Sequence, residues 1–263
     1  METRSKKARV SLISFTQNSV PLMCFFHRVM HAPVPDTLEE FVRDEQKWLG
    51  MSVAEYFEKA LADDGMPSFL ECISMTFKLE NVSRALTHQL VRHRIGFTYA
   101  QQSQRCVRME NFADDGYYHC PSTVTDPLKY DTMMKVVQTV YREALERGCS
   151  TQDARGLLPT NIQTTIMFTA NLSALIGMVN KRLCIKTQEE FQGVGRQIAR
   201  LVTEKIDVRF RRFFDMPCVV WKKCIMESEN KRQLAEGKLK GEQNTSQLCP
   251  VYIPFKEGKL VKK

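Results

Sequence analysis

The sequence predicts a single-domain chain of the α/β (α+β) class, with a mixed central sheet and long flanking helices. Three stretches of strand character carry that reading: Arg9 to Phe15, Ile73 to Leu79 and Gln163 to Ala170. Around them run segments with apolar residues at every third or fourth position, the mark of amphipathic helices. With 263 residues, 43% of them hydrophobic, the chain is long enough to bury one substantial core.

Arg9 to Phe15 alternates apolar and polar residues and reads as a strand. Pro21 to Met30 follows, and His27 and His31 are spaced as two imidazoles on one helical face would be for a metal. No third ligand is near in sequence, so no metal is expected. Thr37 to Ala62 reads as one amphipathic helix that buries Leu38, Phe41, Trp48, Leu49, Val53, Tyr56, Phe57 and Leu61. Ile73 to Leu79 sets Ser74, Thr76 and Lys78 between apolar residues, the period-two pattern of a half-buried strand. It feeds a helix in which Val82, Ala85, Leu86, Gln89 and His93 recur at helical spacing behind a cap at Asn81.

Asp-Asp-Gly and Pro residues between Glu110 and Lys129 mark a loop. Thr132 to Arg147 then places Met133, Val136, Val137, Val140, Tyr141, Ala144 and Leu145 at helical spacing before a glycine stop at Gly148. Thr151 to Leu158 reads as a short helix closed by Pro159. Gln163 to Ala170 is rich in β-branched and aromatic residues. Asn171 is expected to cap a helix with Leu172, Leu175, Ile176, Val179 and Leu183 inward. Thr187-Gln-Glu-Glu190 has the form of a capping box, opening a helix with Phe191, Val194, Ile198, Leu201 and Val202 inward. Past Cys224 the composition turns to Lys, Glu, Asn, Gln and Gly, which sets residues 227–263 apart from 1–226 as a polar, basic extension, a tail or a loosely docked segment.

Lys and Arg total 38 against 30 acids, a formal charge of +8 that favours anionic ligands without separating nucleotide, nucleic acid and membrane. Part of the excess is Lys256, Lys259, Lys262 and Lys263. The cysteines number nine, none in Cys-x-x-Cys, and the N-terminus lacks the apolar stretch of a signal peptide. Reduced thiols and a cytoplasmic location are the expectation. No apolar run approaches the roughly 18 residues of a membrane span.

Gln89 to Arg105 gathers Arg92, His93, Arg94 and Arg105 with many amide and hydroxyl donors and no acid. Gln89 and Arg92 share a helical face, and a chain leaving the helix at Arg94 through Gly96 is expected to curl the later donors back over the same spot. Spacing leaves open a plain alternative, a solvated basic helix end. Glycine-rich phosphate loops, the Gly-x-Ser-x-Gly elbow and the dinucleotide fingerprint are absent, so an anion site must be built from side chains. Cys106 beside Arg105 reads either as an activated thiolate or as a small buried hydrophobe, and nothing in the chain offers it a His and acid partner.

Gln89-Leu-Val-Arg92-His93-Arg94 followed by Ser103-Gln-Arg105 closely resembles the signature of the flavin-dependent thymidylate synthases. The flanks are similar too: Ser68-Phe-Leu-Glu71, Phe77, Val82-Ser-Arg-Ala85, Ala154-Arg155-Gly-Leu-Leu-Pro159, Asn171 and Arg182, in the same order over roughly residues 8 to 210. The resemblance implies that family's fold, a homotetramer with shared active sites, and conversion of dUMP to dTMP. FAD would be the cofactor, with NADPH and methylenetetrahydrofolate as co-substrates and no attacking cysteine. Cys106 then returns to a structural role.

By resemblance, Arg182 and Ser103 are the catalytic positions. Gln89, Gln101, Gln102, Ser103, Gln104, Arg105, Arg155 and Arg182 would hold the nucleotide. Ser68, Arg92, His93, Arg94, Ile95, Gln101, Asn171 and Gly177 would hold the flavin. Several guanidiniums suit a phosphate dianion because each binds in a bidentate way.

The chain departs from the family pattern on the flavin side. Ser103 lies nine residues after Arg94 where eight is common, an extra residue assigned to Ile95-Gly96. Met66, Ser173 and Gly177 stand where His, Arg and Asn are usual. These departures motivate a second reading, a diverged paralogue that modifies C5 of another uridine nucleotide. The charge motivates a third, a non-enzymatic nucleic-acid binder.

Overall fold

The computed structural model describes residues 4–63, 68–237 and 249–258. Met66, Lys259, Lys262 and Lys263 lie outside the described residues. Strands β1 (Arg9–Phe15), β2 (Ser74–Ser83), β3 (Phe97–Gln101) and β4 (Gln163–Asn171) pair in the order β1-β2-β4-β3. Alternation explains which face each strand buries: Met75, Phe77 and Leu79 of β2 and Ile166, Phe168 and Ala170 of β4 point into the core. Leu12, Phe77, Phe168 and Tyr99 lie in one cross-strand row, and the rings of Phe77 and Phe168 stack at 5.3 Å.

Two features of the sheet correct the sequence reading. Each described pairing is antiparallel, so the sheet is not mixed. The strands that run the same way, β2 and β3, are kept apart by β4, which inserts between them. β3 was also not anticipated as a strand. Its five residues, Phe-Thr-Tyr-Ala-Gln, are too few to display a period against the surrounding polar motif.

The helices follow in chain order. α1 (Ser19–Val29) carries His27, whose Nδ1 is 2.8 Å from the hydroxyl of Tyr56 in a buried contact, so the imidazole is a hydrogen-bonded core group. Among the described residues no group of three ligating side chains surrounds it or any other point. Thr37 to Ala62 is three helices rather than one: α2 (Leu38–Arg43), α3 (Glu45–Leu49) and α4 (Val53–Asp63). The breaks fall at Asp44, which leaves helical geometry, and at Gly50, whose φ of +71° suits only glycine at low cost.

α5 (Arg84–Leu90) is capped by Ser83, not Asn81. Asn81 sits at φ +56° inside β2, where the register slips between Leu79 and Val82. The helix ends at Leu90, so His93 lies beyond it. α6 (Pro127–Glu146) starts earlier than expected, because Asp126 accepts from the Lys129 N–H and Pro127 is favoured in a first turn. Its buried residues are Met134, Gln138 and Tyr141, whereas Met133, Val136 and Val140 form an exposed apolar stripe.

After the short α7 (Thr151–Ala154), α8 (Leu172–Leu183) begins at the Asn171 cap, whose side chain accepts from Ala174 at 2.8 Å. α8 buries Leu172, Leu175, Ile176 and Val179, each contributing about 1.5–3 kcal/mol relative to exposure. α9 (Glu189–Lys205) buries Phe191, Val194, Ile198 and Val202. The capping box at its start does not form: the Thr187 hydroxyl donates to the Lys181 carbonyl, and Glu190 is taken by Ser83. α10 (Pro217–Val220), α11 (Glu227–Ala235) and α12 (Tyr252–Lys256) complete the chain. The described part of the C-terminal extension is docked, with Cys249 and Tyr252 buried against Ile185, Cys224 and Val251.

Candidate active site

α5 and β3 form a helix-strand pair around which the motif is arranged. The amide nitrogen of Gln101 donates to the Thr87 hydroxyl at 2.9 Å, and the Tyr99 hydroxyl lies 2.9 and 2.6 Å from the carbonyls of Leu90 and His93. Arg84, at the other end of the helix, reaches the carbonyl of Gln102 at 3.5 Å. The pair is fastened to the body through Ser83. Its N–H and hydroxyl donate to the buried carboxylate of Glu190 at 2.6 and 2.5 Å, and its oxygen accepts from Leu86 at 3.0 Å.

One side of α5 presents Gln89. Arg182, from the last turn of α8, donates to the Gln89 side-chain oxygen at 3.1 Å and lies 3.0 Å from Nε2 of His93. Its guanidinium stacks 4.6 Å from the Phe191 ring. Gln89 passes its own amide hydrogen to Gln188, which donates to Glu190 at 3.3 Å. Burial, then the charges of Arg182 and Lys181, push the His93 imidazole down to about 4, so it is neutral and its Nε2 accepts from Arg182. Burial and then Arg92 also lower the pKa of Arg182. Nε of Arg182 is buried without a partner.

The Arg84–Thr87 side of α5 meets Gln101 and the carbonyl of Gln102, and Ser103, Gln104 and Arg105 follow in the chain. Thr87 and Gln89 are two residues apart, about 200° around a helix, so the strand-facing side and the Gln89 side point away from each other. Among the described residues no hydrogen bond brings Ser103 to Arg105 over Gln89, and the polar contacts of Gln101 and Gln102 go to Thr87, Arg84 and Tyr117. β3 carries Ser103 to Arg105 about 17 Å from Gly96, five residues at the usual strand rise. Gln102 meets Arg84 and Tyr117, whose hydroxyl is 3.3 Å from the Gln102 amide oxygen. The pKa of Arg84 is held down by burial and then by Arg155. Ser103 Oγ accepts from the Arg105 N–H at 3.2 Å, and Gln104 is buried with its Nε2 unpartnered.

The third region is the turn from Arg92 to Gly96, which rests on the N-terminal end of α8. The Asn171 N–H donates to the Gly96 carbonyl at 3.1 Å. Gly96 has φ +75°, and a Cβ there would lie 2.7 Å from Ala174 Cβ and 2.8 Å from Asn171 Nδ2. Arg92, Arg94 and Ile95 are exposed, Ile95 by 93%. Ser68 begins a 3-10 turn, Ser68–Cys72, that packs on α8, and Gly177 faces open space on the same helix.

None of the ion pairs among the described residues involves Arg84, Arg92, Arg94, Arg105, Arg155 or Arg182. Six guanidiniums without an acid, together with orphaned donors on Arg182 and Gln104, are the electrostatic form of an anion site. Arg84 was noticed in the sequence only as part of a flank. Its signal was available: a cation in the first turn opposes the helix dipole and calls for an anion nearby. Gln188 and Glu190 were read as capping residues, and nothing in their local sequence points to Gln89 and Ser83 across the fold.

Comparison with known proteins places the chain in one family. The family model described as thymidylate synthase complementing protein matches residues 11–206. The flavin-dependent thymidylate synthase of Geobacter sulfurreducens is 32% identical over 209 residues, covering 77% of this chain and 85% of that one. That of Clostridium tetani is 28% identical over 83% of this chain and 91% of its own. That of Pyrococcus furiosus is 34% identical over 60% of this chain, which spans 64% of the relative's length. Among solved structures, the ThyX enzyme of Helicobacter pylori complexed with FAD and dUMP superposes with a TM-score of 0.61 at 15% identity, over 79% of this chain and 100% of that one, a likeness of fold. With a family model spanning its sheet, α5, β3 and α8, the chain belongs to the thymidylate synthase complementing proteins, the family of flavin-dependent thymidylate synthases.

Proposed function

We propose that the protein converts dUMP to dTMP with FAD, taking the carbon from methylenetetrahydrofolate and the reducing equivalents from NADPH. The observation that carries this reading is Arg182, a half-buried guanidinium oriented by Gln89 and a neutral His93, with one N–H left without a partner. A cation so placed is suited to charge that develops on a uracil ring as it is activated, in surroundings of low dielectric. Arg84, Arg105 and Arg155, with the Ser103 hydroxyl and Gln104, are suited to the phosphate, which guanidiniums bind in a bidentate way.

The turn at Gly96 fits FAD on two counts. It offers cations without acids at the N-terminus of α8, suited to a diphosphate, and its glycine lets backbone approach where a Cβ would clash. Ser68, Arg92, His93, Arg94, Ile95, Gln101, Asn171 and Gly177 would hold the cofactor. When bound, FAD supplies the reducing equivalents of the reaction. The chain's own residues orient the nucleotide and neutralise its charge.

Within one chain Arg182 bonds to Gln89 and to His93, while among the described residues no hydrogen bond joins Gln89 or Arg182 to Ser103, Arg105 or Arg155. This supports a homotetramer in which each nucleotide site takes its two halves from different copies. The exposed stripe of Met133, Val136 and Val140 supplies apolar surface for such an assembly. In this reading residues 1–226 are the catalytic body, 227–263 are an addition to it, and the location is cytoplasmic. Among the described residues no helix is long and apolar enough to cross a membrane.

The test is anaerobic incubation of the full chain with FAD, NADPH, methylenetetrahydrofolate and dUMP, followed by mass analysis of the nucleotide. Formation of dTMP that requires every component is the expected result. Product from UMP but not from dUMP would favour the diverged paralogue instead.

A further inference from the structure

The row of polar groups that ends on Arg182 begins at a carboxylate. Glu190, in the first turn of α9, is buried, its side chain only 2% exposed. Its Oε1 accepts from the Ser83 N–H at 2.6 Å, and its Oε2 accepts from the Ser83 hydroxyl at 2.5 Å and from the Gln188 amide at 3.3 Å. Its one ion-pair contact among the described residues is with His119, 4.0 Å away, and that contact carries charge only when the imidazole is protonated. A buried carboxylate so weakly paired is costly to keep, and an amide of the same shape would cost less. What the carboxylate alone provides is polarity.

An ionised carboxylate only accepts hydrogen bonds, whereas a glutamine amide has a donor at one end, an acceptor at the other, and the same shape when turned over. Glu190 therefore compels Gln188 to turn its nitrogen to the carboxylate and its oxygen to Gln89. Gln89 answers with its own nitrogen and so turns its oxygen to Arg182, which donates to it at 3.1 Å. The same guanidinium lies 3.0 Å from Nε2 of His93. Two amides in series thus give Arg182 an acceptor because a carboxylate stands at the far end.

Resting on the reading of Arg182 as the charge-stabilising group of the reaction, we propose that Glu190 is a positioning residue: acting through Gln188, it fixes the orientation of the Gln89 amide and thereby of the Arg182 guanidinium. Glutamine at position 190 would reverse the row. The Ser83 N–H can only donate, so the amide oxygen of such a side chain stays in the place of Oε1 and its nitrogen takes the place of Oε2. Gln188 must then turn its oxygen to that nitrogen, Gln89 follows, and Arg182 meets a donor where it had an acceptor. Glu190 sets the other end of α5 as well, because the Ser83 oxygen it holds accepts from the Leu86 N–H.

The test compares three variants of the full chain: Glu190→Gln, Gln188→Leu, and the exchange Glu190→Gln with Gln188→Glu. In the exchange a carboxylate at position 188 accepts from both neighbours, so Gln89 again turns its oxygen to Arg182. Glu190→Gln and Gln188→Leu should each lower kcat for dTMP formation about tenfold or more, as misplacement of a reacting group does, and the exchange should recover most of the loss. Wild type that forms no dTMP would undo the functional reading alone, so the orientation of Arg182 is also read without turnover. The imidazole of His93, followed by NMR of histidine-labelled chain down to about pH 5, should stay neutral in wild type and in the exchange, where Arg182 remains beside it, and should begin to protonate in the two other variants. Should Glu190→Gln fail to fold, Gln188→Leu decides, since it leaves both Ser83 bonds to Glu190 in place. Either a neutral His93 or a wild-type kcat in Gln188→Leu overturns the proposal, as does a folded exchange variant no better than Glu190→Gln.

Discussion

The two sides of α5 are built differently. On the Gln89 side the polar groups already engage one another: Arg182 holds Gln89 and His93, Gln89 holds Gln188, and Gln188 holds Glu190. On the Ser103 side Arg105 and Arg155 are exposed and Gln104 has an orphaned nitrogen. The difference separates two tasks. A group that must stabilise charge in a reaction is useful only if it is already oriented, whereas groups that capture a phosphate can be ordered by the phosphate itself.

That comparison breaks most sharply at Arg182. Arg182→Ala should lower the rate of dTMP formation by about 10²–10³-fold, the usual effect of removing one preorganised charge-stabilising donor, with the fold kept as judged by circular dichroism. Arg105→Ala should act mainly on binding. Its dUMP affinity, read by calorimetry, should fall about 10- to 100-fold, as expected for one charge-assisted contact of about 1.5–3 kcal/mol. If both variants lost rate and affinity alike, the two sides of α5 would not differ in task.

Gly96→Ala sharpens the boundary with the flavin end. Its Cβ would press on Ala174 and Asn171 at positive φ, a strain of about 1–3 kcal/mol. FAD affinity should fall and dUMP affinity should hold, which a flavin-binding titration and calorimetry on the same sample would separate.

The smallest expected effect is on pH dependence. The His93 pKa is pushed down to about 4 in the folded chain from an ordinary value of 6.5. Between those values the unfolded chain takes up a proton that the folded one does not, so stability falls as pH falls through that window and is complete above it. Melting temperature followed from about pH 7 to about pH 5 should drop further for wild type than for His93→Asn. Equal slopes would mean that His93 is not held neutral.

Much of this was legible in the sequence because it depends on local periodicity. β1 spans the stretch Arg9–Phe15 that the alternation marked, though a bulge between Leu12 and Ser14 breaks the alternation itself, and Asn171 caps α8 as its position before an apolar-periodic run suggested. The site residues were legible as a linear motif, and resemblance to a family assigned them chemistry. Their arrangement was not legible, because β3 is too short to announce itself and its pairing decides that Gln101 and Gln102 meet Thr87 and Arg84. Glu190 shows a second limit. Four residues in the form of a capping box contain no hint that the carboxylate is taken by Ser83, more than a hundred positions away in sequence. Met133, Val136 and Val140 show a third, since periodicity marks an apolar face without saying whether the same chain or another copy covers it.

The division of the nucleotide site between copies is tested most directly by complementation. Arg182→Ala and Arg105→Ala chains would be purified separately, mixed under conditions that exchange subunits, and assayed for dTMP. Each parent should be nearly inactive, and the mixture should recover a substantial fraction of wild-type activity, because some sites then receive an intact Arg182 from one copy and an intact Arg105 from another. A mixture that exchanges subunits yet stays as inactive as its parents would place both arginines in a site built by one chain, contradicting the account.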